Sequence, residues 1–214
     1  MSGFDPRVLP PDLPTPIDDG AARHLAGMEI PALSLPSTAG PLNLRDAAAG
    51  SLVLYIYPRT GQPGVPPPDG WDATPGARGC TPQSCAFRDH RAELAELGAD
   101  VIGMSAQSLA DQEEFAAREH IPYPLIADPD LRLAPPLGLP TFEIAGMRLD
   151  RRITLVAQAG RIEHVFYPVF PPDRNAADVV AWLRGEPRGA RRWAAVDPHG
   201  RLTPDVSPAR PAAP

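Results

Sequence analysis

The sequence predicts an α/β domain with a mixed central sheet flanked by helices, and two observations support this prediction. Apolar runs of strand length at 51–57 and 100–105 are followed by stretches with helical periodicity. Two further runs, at 152–156 and 161–166, flank the turn residues 158–160 and predict an antiparallel hairpin. Strands linked by helices and followed by a hairpin are typical of a mixed sheet.

Local patterns place the remaining elements in chain order. Short strands are expected within 28–35 and 41–44, and a strand and turn within 122–128. A first helix should run from the cysteine segment to about Leu97, and a second from Ser108 to about His120. A short helix is expected within 131–137 and a closing helix at 174–184. Ser108 with Asp111 forms a capping-box-like start for the second helix.

The chain is predicted to hold one domain with an atypical segment at each end. Residues 1–25 are rich in proline and should form an extended arm, whereas 26–185 carry all the predicted elements. Residues 186–214 are rich in Arg, Pro and Ala, and we expect this tail to be partly disordered. Within the domain, 59–78 is predicted as a long loop, and such loops are usually functional or disordered.

Composition excludes several classes of function. The net charge of -6 argues against a nucleic-acid interface, which needs a basic face. The 20 basic residues are all arginine, which excludes a Schiff-base lysine and a phosphate-loop lysine. No apolar run approaches a membrane span, and residues 1–20 lack a signal-peptide core. We therefore expect a cytoplasmic protein with neither nucleic acid nor membrane as a partner.

The only two cysteines, Cys80 and Cys85, lie where the long loop gives way to a helical pattern. Thr81 followed by Pro82 is a helix-start signal, so Cys80 is expected at a helix N-terminus. The unpaired N–H groups there favour the thiolate form of a cysteine, and Arg78 is expected to add to the effect. In a reducing cytosol, such a pair is more often catalytic or metal-binding than structural.

The spacing of the two cysteines constrains any bond between them. Residues five apart in an ideal helix have Cα atoms roughly 8.7 Å apart. A disulfide requires less than about 7 Å. A Cys80–Cys85 bridge therefore requires the first turn of the helix to unwind.

A pair of cysteines at this spacing could carry out three kinds of chemistry. Thioredoxin-type exchange prefers the shorter Cys-x-x-Cys spacing. Zinc binding by both cysteines and His90 is disfavoured, because steps of five residues spread the ligands around a helix. Peroxide reduction fits better: Cys80 attacks the O–O bond, its sulfenic acid condenses with Cys85, and an external dithiol reduces the resulting disulfide. No metal or cofactor is expected.

These residues make the chain resemble a peroxiredoxin of the bacterioferritin-comigratory or Q type. The matching pieces are the strand at 52–58 ending in Tyr-Pro, the cysteine segment 79–89, and the stretches 101–105, 124–128, 151–160 and 162–166. The resemblance covers roughly 28–184. It implies a thioredoxin-like fold, with Cys80 as the peroxidatic and Cys85 as the resolving residue of an atypical 2-Cys enzyme. It also implies a hydroperoxide substrate, a thioredoxin- or glutaredoxin-like reductant, and a monomer or homodimer.

The resemblance further implies an active-site arginine that stabilises the thiolate and polarises the peroxide. In the family this arginine opens a strand nine residues before a turn glycine. Counting back from Gly160 assigns Arg151, and Arg152 is the alternative.

The chain departs from the family pattern just before Cys80. The family has a proline seven residues and a hydroxyl three residues before this cysteine, but Ala73 and Ala77 stand there. The matching Pro58 lies 22 residues upstream, as though a segment had been inserted. Thr74 is therefore the candidate for the missing hydroxyl. The inserted loop is a candidate wall for a bulkier hydroperoxide, and the alternative is that it contacts a second subunit.

Two other functions stay open on the same sequence. One is a non-enzymatic thiol redox sensor or binding module on this fold, in which the altered loop has removed fast turnover. The other is a general disulfide reductase. Dependence of peroxide oxidation on Cys80 alone distinguishes the enzyme from the sensor.

Overall fold

A five-stranded mixed sheet organises the computed structural model, which describes residues 4–185. The strands are β1 (Ser34–Leu35), β2 (Leu42–Asn43), β3 (Ser51–Ile56), β4 (Ala99–Ser105), β5 (Leu125–Ala127), β6 (Thr141–Ile144), β7 (Met147–Asp150), β8 (Ile153–Gln158) and β9 (Arg161–Phe166). The helices are α1 (Leu44–Ala47), α2 (Cys80–Asp89), α3 (Arg91–Glu96), α4 (Leu109–Glu119), α5 (Ala134–Leu137) and α6 (Asn175–Leu183), with a 3-10 turn at Pro172–Arg174.

The main sheet has the strand order β5-β4-β3-β8-β9. Strands β3, β4 and β5 run parallel, whereas β8 is antiparallel to β3 and β9 is antiparallel to β8. The predicted mixed sheet and the predicted late hairpin are therefore confirmed. Two-stranded sheets formed by β1 with β2 and by β6 with β7 complete the strand pairing.

Strand β3 separates two apolar cores, because its successive side chains point to opposite faces. Leu52, Leu54 and Ile56 belong to one core. Val53 and Tyr55 face the other core, which also contains Cys80 and Phe87 of α2. The cysteine helix therefore packs directly on the sheet.

Aromatic contacts fix α2 against this second face. The Phe87 ring stacks on the Tyr55 ring with 4.4 Å between centroids. The Tyr123 hydroxyl donates a hydrogen bond of 2.9 Å to the backbone carbonyl of Ser84. Both contacts involve the middle of α2 and hold it in register with the sheet.

The start of α2 differs from the sequence prediction. The helix begins at Cys80 itself, with Gly79 as its N-cap at a φ of 102°. The Thr81 hydroxyl has no hydrogen-bond partner among residues 4–185, and Pro82 is the third helical residue. A Cβ at Gly79 would lie 2.3 Å from Pro172, so long-range packing selects the glycine and sets the boundary.

Other element predictions have mixed outcomes. The helix expected to reach Leu97 is interrupted at His90, which separates α2 from α3. The capping box at Ser108 and Asp111 is confirmed at the start of α4. The β6–β7 hairpin was not predicted; its turn uses Ala145 and Gly146, both at positive φ.

The N-terminal arm lies against the domain. Residues 4–25 contain no helix or strand, yet the side chains of Ala22 and Leu25 are buried in the first core. The predicted tail at 186–214 falls outside the described residues. Within residues 4–185 no helix is long and apolar enough to cross a lipid bilayer.

Candidate active site

Cys80 is the first residue of α2 and is 3% exposed. The Arg152 Nη2 atom donates to the Cys80 Sγ across 3.2 Å. The Cys80 thiol in turn lies 3.6 Å from the carbonyl oxygen of Ala77, to which it donates. The Cys80 sulfur is therefore buried and in direct contact with a guanidinium.

Buried polar groups hold the Arg152 side chain, which immediately precedes β8 and is 3% exposed as a residue. Its Nη1 donates to Gln83 Oε1. The Gln83 amide donates to Asn175 Oδ1 at 2.9 Å, and Thr154 donates to the same oxygen at 2.7 Å. Residues from α2, β8 and α6 therefore orient one guanidinium.

The same guanidinium also fixes the backbone that leads into Cys80. The Arg152 Nη2 lies 3.2 Å from the carbonyl oxygens of Gly76 and Ala77 and 3.0 Å from that of Arg78. Arg152 thus joins the end of the long loop to the start of β8, and the same guanidinium contacts the Cys80 sulfur.

Arg151 and Arg152 were both candidates, and the structure brings only Arg152 to Cys80. The Arg151 guanidinium lies over the Phe142 ring, 5.9 Å from its centroid. Neighbouring residues in extended chain point to opposite sides, so only one of the two can face α2. The sequence prediction assigned Arg151 and gave Arg152 as the alternative; of the two, Arg152 is the one that contacts Cys80.

The candidate hydroxyl Thr74 does not join this site. Its Oγ1 donates to the carbonyl of Gly70 at 2.9 Å, on the loop itself. Thr60 lies on the cavity that contains Cys80 and is buried; its hydroxyl and its backbone N–H donate to Gln107 Oε1 at 3.0 and 2.7 Å. The sequence did not point to Thr60. It follows Pro58 by two residues, whereas the family's hydroxyl follows its proline by four.

A cavity of about 460 Å³ opens above Cys80. Its polar part contains Thr60, Gln107 and the start of α2, together with other polar and charged residues: Arg59, Gln62, Arg78, Asp111 and Glu114. Its apolar part is contributed by Trp71, Val65 and the three prolines at 66–68 from the long loop, and by Phe4 and Pro6 from the arm. The long loop therefore lines the cavity, as its position in the sequence suggested.

Arg78 does not serve Cys80 in the way expected from its position. Its side chain is 8% exposed, and its Nη2 donates to the carbonyls of Asp5 and Val8 at 3.2 and 3.0 Å. The guanidinium also lies 4.4 Å from the centroid of the Phe4 ring and pairs with Asp72 at 3.4 Å. Arg78 is an anchor for the N-terminal arm.

Cys85 occupies a different electrostatic setting. Its Sγ is half-buried and donates to Glu119 Oε2 across 3.7 Å. Burial raises the pKa of the Cys85 thiol, the Glu119 carboxylate raises it further, and the Arg88 guanidinium partly offsets this. Glu119 has a 1% exposed side chain and pairs with Arg7 at 3.0 Å and with Arg118 at 2.7 Å.

The two sulfurs are therefore chemically unequal. Cys80 lies beside a cation at a cavity, whereas Cys85 is held as a thiol beside a carboxylate. Both are free cysteines within the intact helix α2. Within residues 4–185, no three His, Cys, Asp or Glu side chains are grouped so that they could hold a metal ion.

Comparison with known proteins supplies a family for this geometry. The family model described as Redoxin matches residues 25–181. Peroxiredoxin Bcp from Escherichia coli (strain K12) is 30% identical over 164 residues, which cover 74% of this chain and 95% of that protein. The chloroplastic peroxiredoxin Q of Arabidopsis thaliana is 28% identical over 159 residues, covering 74% of this chain and 66% of that protein.

A solved structure agrees with these relatives. The bacterioferritin comigratory protein of Xanthomonas campestris, studied for its alkyl peroxide reduction activity, superposes with a TM-score of 0.58 at 25% identity. The match covers 75% of this chain and 98% of that one. Against several chloroplastic relatives the chain spans only about half to two thirds of their length, between 52% and 66%.

Proposed function

Because this chain belongs to the Redoxin family and, within it, to the peroxiredoxins of the Q and Bcp type, we propose that it is a thiol-dependent peroxidase. Its thioredoxin-like fold is that of the family. The observation that carries the proposal is the Arg152 guanidinium 3.2 Å from the Cys80 sulfur, at the base of a cavity.

The first step is reduction of the hydroperoxide by Cys80. The thiolate attacks the terminal oxygen of R–O–O–H, so that an S–O bond forms as the O–O bond breaks. The leaving alkoxide RO⁻ takes up the proton that the Cys80 thiol released on ionising, so the alcohol R–OH is formed and Cys80 becomes a sulfenic acid. The Arg152 charge stabilises the attacking sulfur and the negative charge that develops on the departing oxygen.

Thr60 is proposed to orient the peroxide. Its hydroxyl proton is donated to Gln107 Oε1, so its oxygen lone pairs remain able to accept the O–H of a hydroperoxide. Thr60 is thus proposed for the role for which Thr74 was the candidate in the sequence. The backbone N–H of Thr60, bound to the same Gln107 oxygen, keeps the residue in place.

The second step joins the two cysteines. The Cys85 sulfur attacks the sulfenic sulfur of Cys80, an S–S bond forms, and the hydroxyl leaves as water with the Cys85 proton. Both residues lie in the regular helix α2, at a separation that a disulfide cannot bridge. The helix must therefore unwind between the two steps, and Cys85 must leave Glu119.

The third step needs a dithiol from outside the chain. A thioredoxin- or glutaredoxin-like protein attacks the Cys80–Cys85 bridge by thiol–disulfide exchange, releases both thiols and becomes oxidised itself. We propose that the enzyme works in the cytoplasm, where such reductants are kept reduced, as a monomer or homodimer.

The proposed substrates are hydrogen peroxide and organic hydroperoxides. The apolar side chains around the cavity support the second class, since they can cover a hydrocarbon substituent. The Xanthomonas campestris protein, which reduces alkyl peroxides, is consistent with this proposal.

Stopped-flow oxidation tests the proposal. Wild type, Cys80→Ser and Cys85→Ser are mixed with hydrogen peroxide, and the intact mass is measured after one equivalent with and without thioredoxin. We expect fast oxidation that is lost only in Cys80→Ser, and a loss of two hydrogens in the wild type that thioredoxin restores. Slow oxidation that is indifferent to which cysteine remains would identify a sensor instead.

A further inference from the structure

The N-terminal arm contacts the long loop and contributes to the wall of the cavity that contains Cys80. The backbone carbonyl of Phe4 accepts a hydrogen bond of 2.8 Å from the N–H of Gly64, on the long loop. A Cβ at Gly61 would lie 3.0 Å from the Phe4 ring and 3.3 Å from Pro6, so arm and loop are in close contact. Phe4 and Pro6 lie on the same cavity as Cys80.

Buried charges fasten this part of the arm. Arg78 donates to two arm carbonyls, those of Asp5 and Val8, and its guanidinium covers the Phe4 ring. Burying a guanidinium is costly unless its donors find partners, and the arm supplies two of the three partners of Arg78, the third being Asp72. Arg7 adds an ion pair of 3.0 Å to Glu119. The arm is therefore attached near Cys80, through Arg78, and near Cys85, through Glu119.

We propose that Phe4 and Pro6 are specificity-determining residues that favour hydroperoxides with an apolar organic substituent over hydrogen peroxide. This inference rests on the peroxidase function proposed above. When the peroxide oxygen lies at Cys80, a hydrocarbon substituent that extends along the cavity contacts the Phe4 ring and loses water from its surface. Hydrogen peroxide has no such substituent, so the wall contributes nothing to its binding.

Contacts with such a wall stabilise the bound hydroperoxide and the transition state equally. They lower the KM of an organic hydroperoxide without changing kcat. A residue that only supported the fold would instead change the kinetics of both peroxide classes together.

The test compares cumene hydroperoxide with hydrogen peroxide in Phe4→Ala and Pro6→Ala. We expect the ratio of the two kcat/KM values to fall by about tenfold in Phe4→Ala, through the KM of cumene hydroperoxide. Phe4→Leu, which keeps an apolar side chain, should recover part of the ratio. Val8→Ala is the matched control, because the Val8 side chain is 57% exposed and does not line the cavity.

A binding measurement separates the wall from turnover. In the Cys80→Ser background, equilibrium dialysis of 2-phenyl-2-propanol, the alcohol formed from cumene hydroperoxide, should show weaker binding when Phe4 is alanine. An unchanged kinetic ratio together with unchanged alcohol binding would overturn the inference and leave the peroxidase intact. A wild type that consumes neither peroxide would overturn the proposed function, and the inference with it.

Discussion

The Arg152 guanidinium contacts the Cys80 sulfur, whereas the side chain of its neighbour Arg151 lies over Phe142. One of two adjacent arginines therefore supplies the charge at the reactive sulfur. Replacing each arginine in turn gives a matched comparison, since the two residues are adjacent and carry the same side chain.

Replacement of Arg152 should abolish most of the peroxidase activity. We expect Arg152→Met to lower kcat/KM for hydrogen peroxide by about 100-fold or more, because a preorganised charge is lost from the reacting atoms. Arg152→Lys should retain part of the rate, while Arg151→Met should remain within a few-fold of wild type. Thermal unfolding of each variant reports whether the fold is kept. Loss of activity in Arg151→Met alone would contradict this assignment.

The hydroxyl of the site should be that of Thr60. Thr60→Val keeps the shape of the side chain but removes the oxygen that can accept a peroxide proton. We expect kcat/KM to fall by about tenfold or more, the size of one hydrogen bond to a reacting group. Thr74→Val is the control, since the Thr74 hydroxyl is bound to Gly70 on the loop. Equal kcat/KM values for Thr60→Val and wild type would contradict the role of the Thr60 hydroxyl in binding the peroxide.

The Glu119 carboxylate should keep Cys85 in its thiol form. Its negative charge is one cause of the raised pKa of Cys85, so Glu119→Gln should lower that pKa, although burial continues to raise it. The measurement is the pH dependence of iodoacetamide alkylation in a Cys80→Ser background, where only Cys85 reacts. At pH 8 alkylation should be faster in Glu119→Gln.

Glu114→Gln provides the control for that experiment. Glu114 lies on the same helix and pairs with Arg118 at 2.8 Å, but Cys85 donates to Glu119. Its replacement should leave the pH profile of Cys85 near that of wild type. A profile that moves equally in both variants, or upward in Glu119→Gln, would contradict a specific effect of Glu119.

Asp150 should make the fold less stable as the pH rises. Burial, and then the charge of Asp128, raise the pKa of Asp150 to about 7, and neither carboxylate oxygen has a hydrogen-bond partner among residues 4–185. The unfolded chain has an aspartate pKa of about 4, so between these values the native state binds the extra proton. Stability should therefore fall by up to roughly 1.4 kcal/mol per pH unit from pH 4 to pH 7 and change little from this group above pH 7.

Urea unfolding of Asp150→Asn at pH 5 and pH 7 measures this penalty. The variant has no carboxyl to titrate, so its stability relative to wild type should increase by about 2 kcal/mol between the two pH values. Asp100→Asn, at an exposed position, should show no such difference. A wild type and an Asp150→Asn variant with parallel pH profiles would contradict the assignment.

Patterns confined to one segment predicted most of the fold. The apolar run of β3, the hairpin of β8 and β9, and the capping box at Ser108 are each written within a few consecutive residues. The features that the sequence placed wrongly, or did not reveal, depend on distant contacts. Gly79 starts α2 because Pro172 and Leu9 leave no room for a side chain there.

The site shows the same division between local and distant causes. The placement of Cys80 and Cys85 in the sequence was enough to propose them as the reacting pair, and both lie in α2. The choice of Arg152 over Arg151 depends on which side of the extended chain before β8 faces α2, and no local spacing points to Thr60, which lies on the same cavity as Cys80. The contact between Phe4 and Arg78 joins residues 74 positions apart, which no local pattern records.

The anchoring of α2 also affects how easily the oxidised enzyme is reset. The hydrogen bond from Tyr123 to the Ser84 carbonyl and the contact of Cys85 with Glu119 exist in the helical, reduced state. Unwinding for a Cys80–Cys85 bridge gives up such contacts, so they stabilise the dithiol relative to the disulfide. For a two-electron couple, about 1.4 kcal/mol of this preference raises the reduction potential by roughly 30 mV. The packing that delays resolution thus makes the bridge a better electron acceptor for the external dithiol.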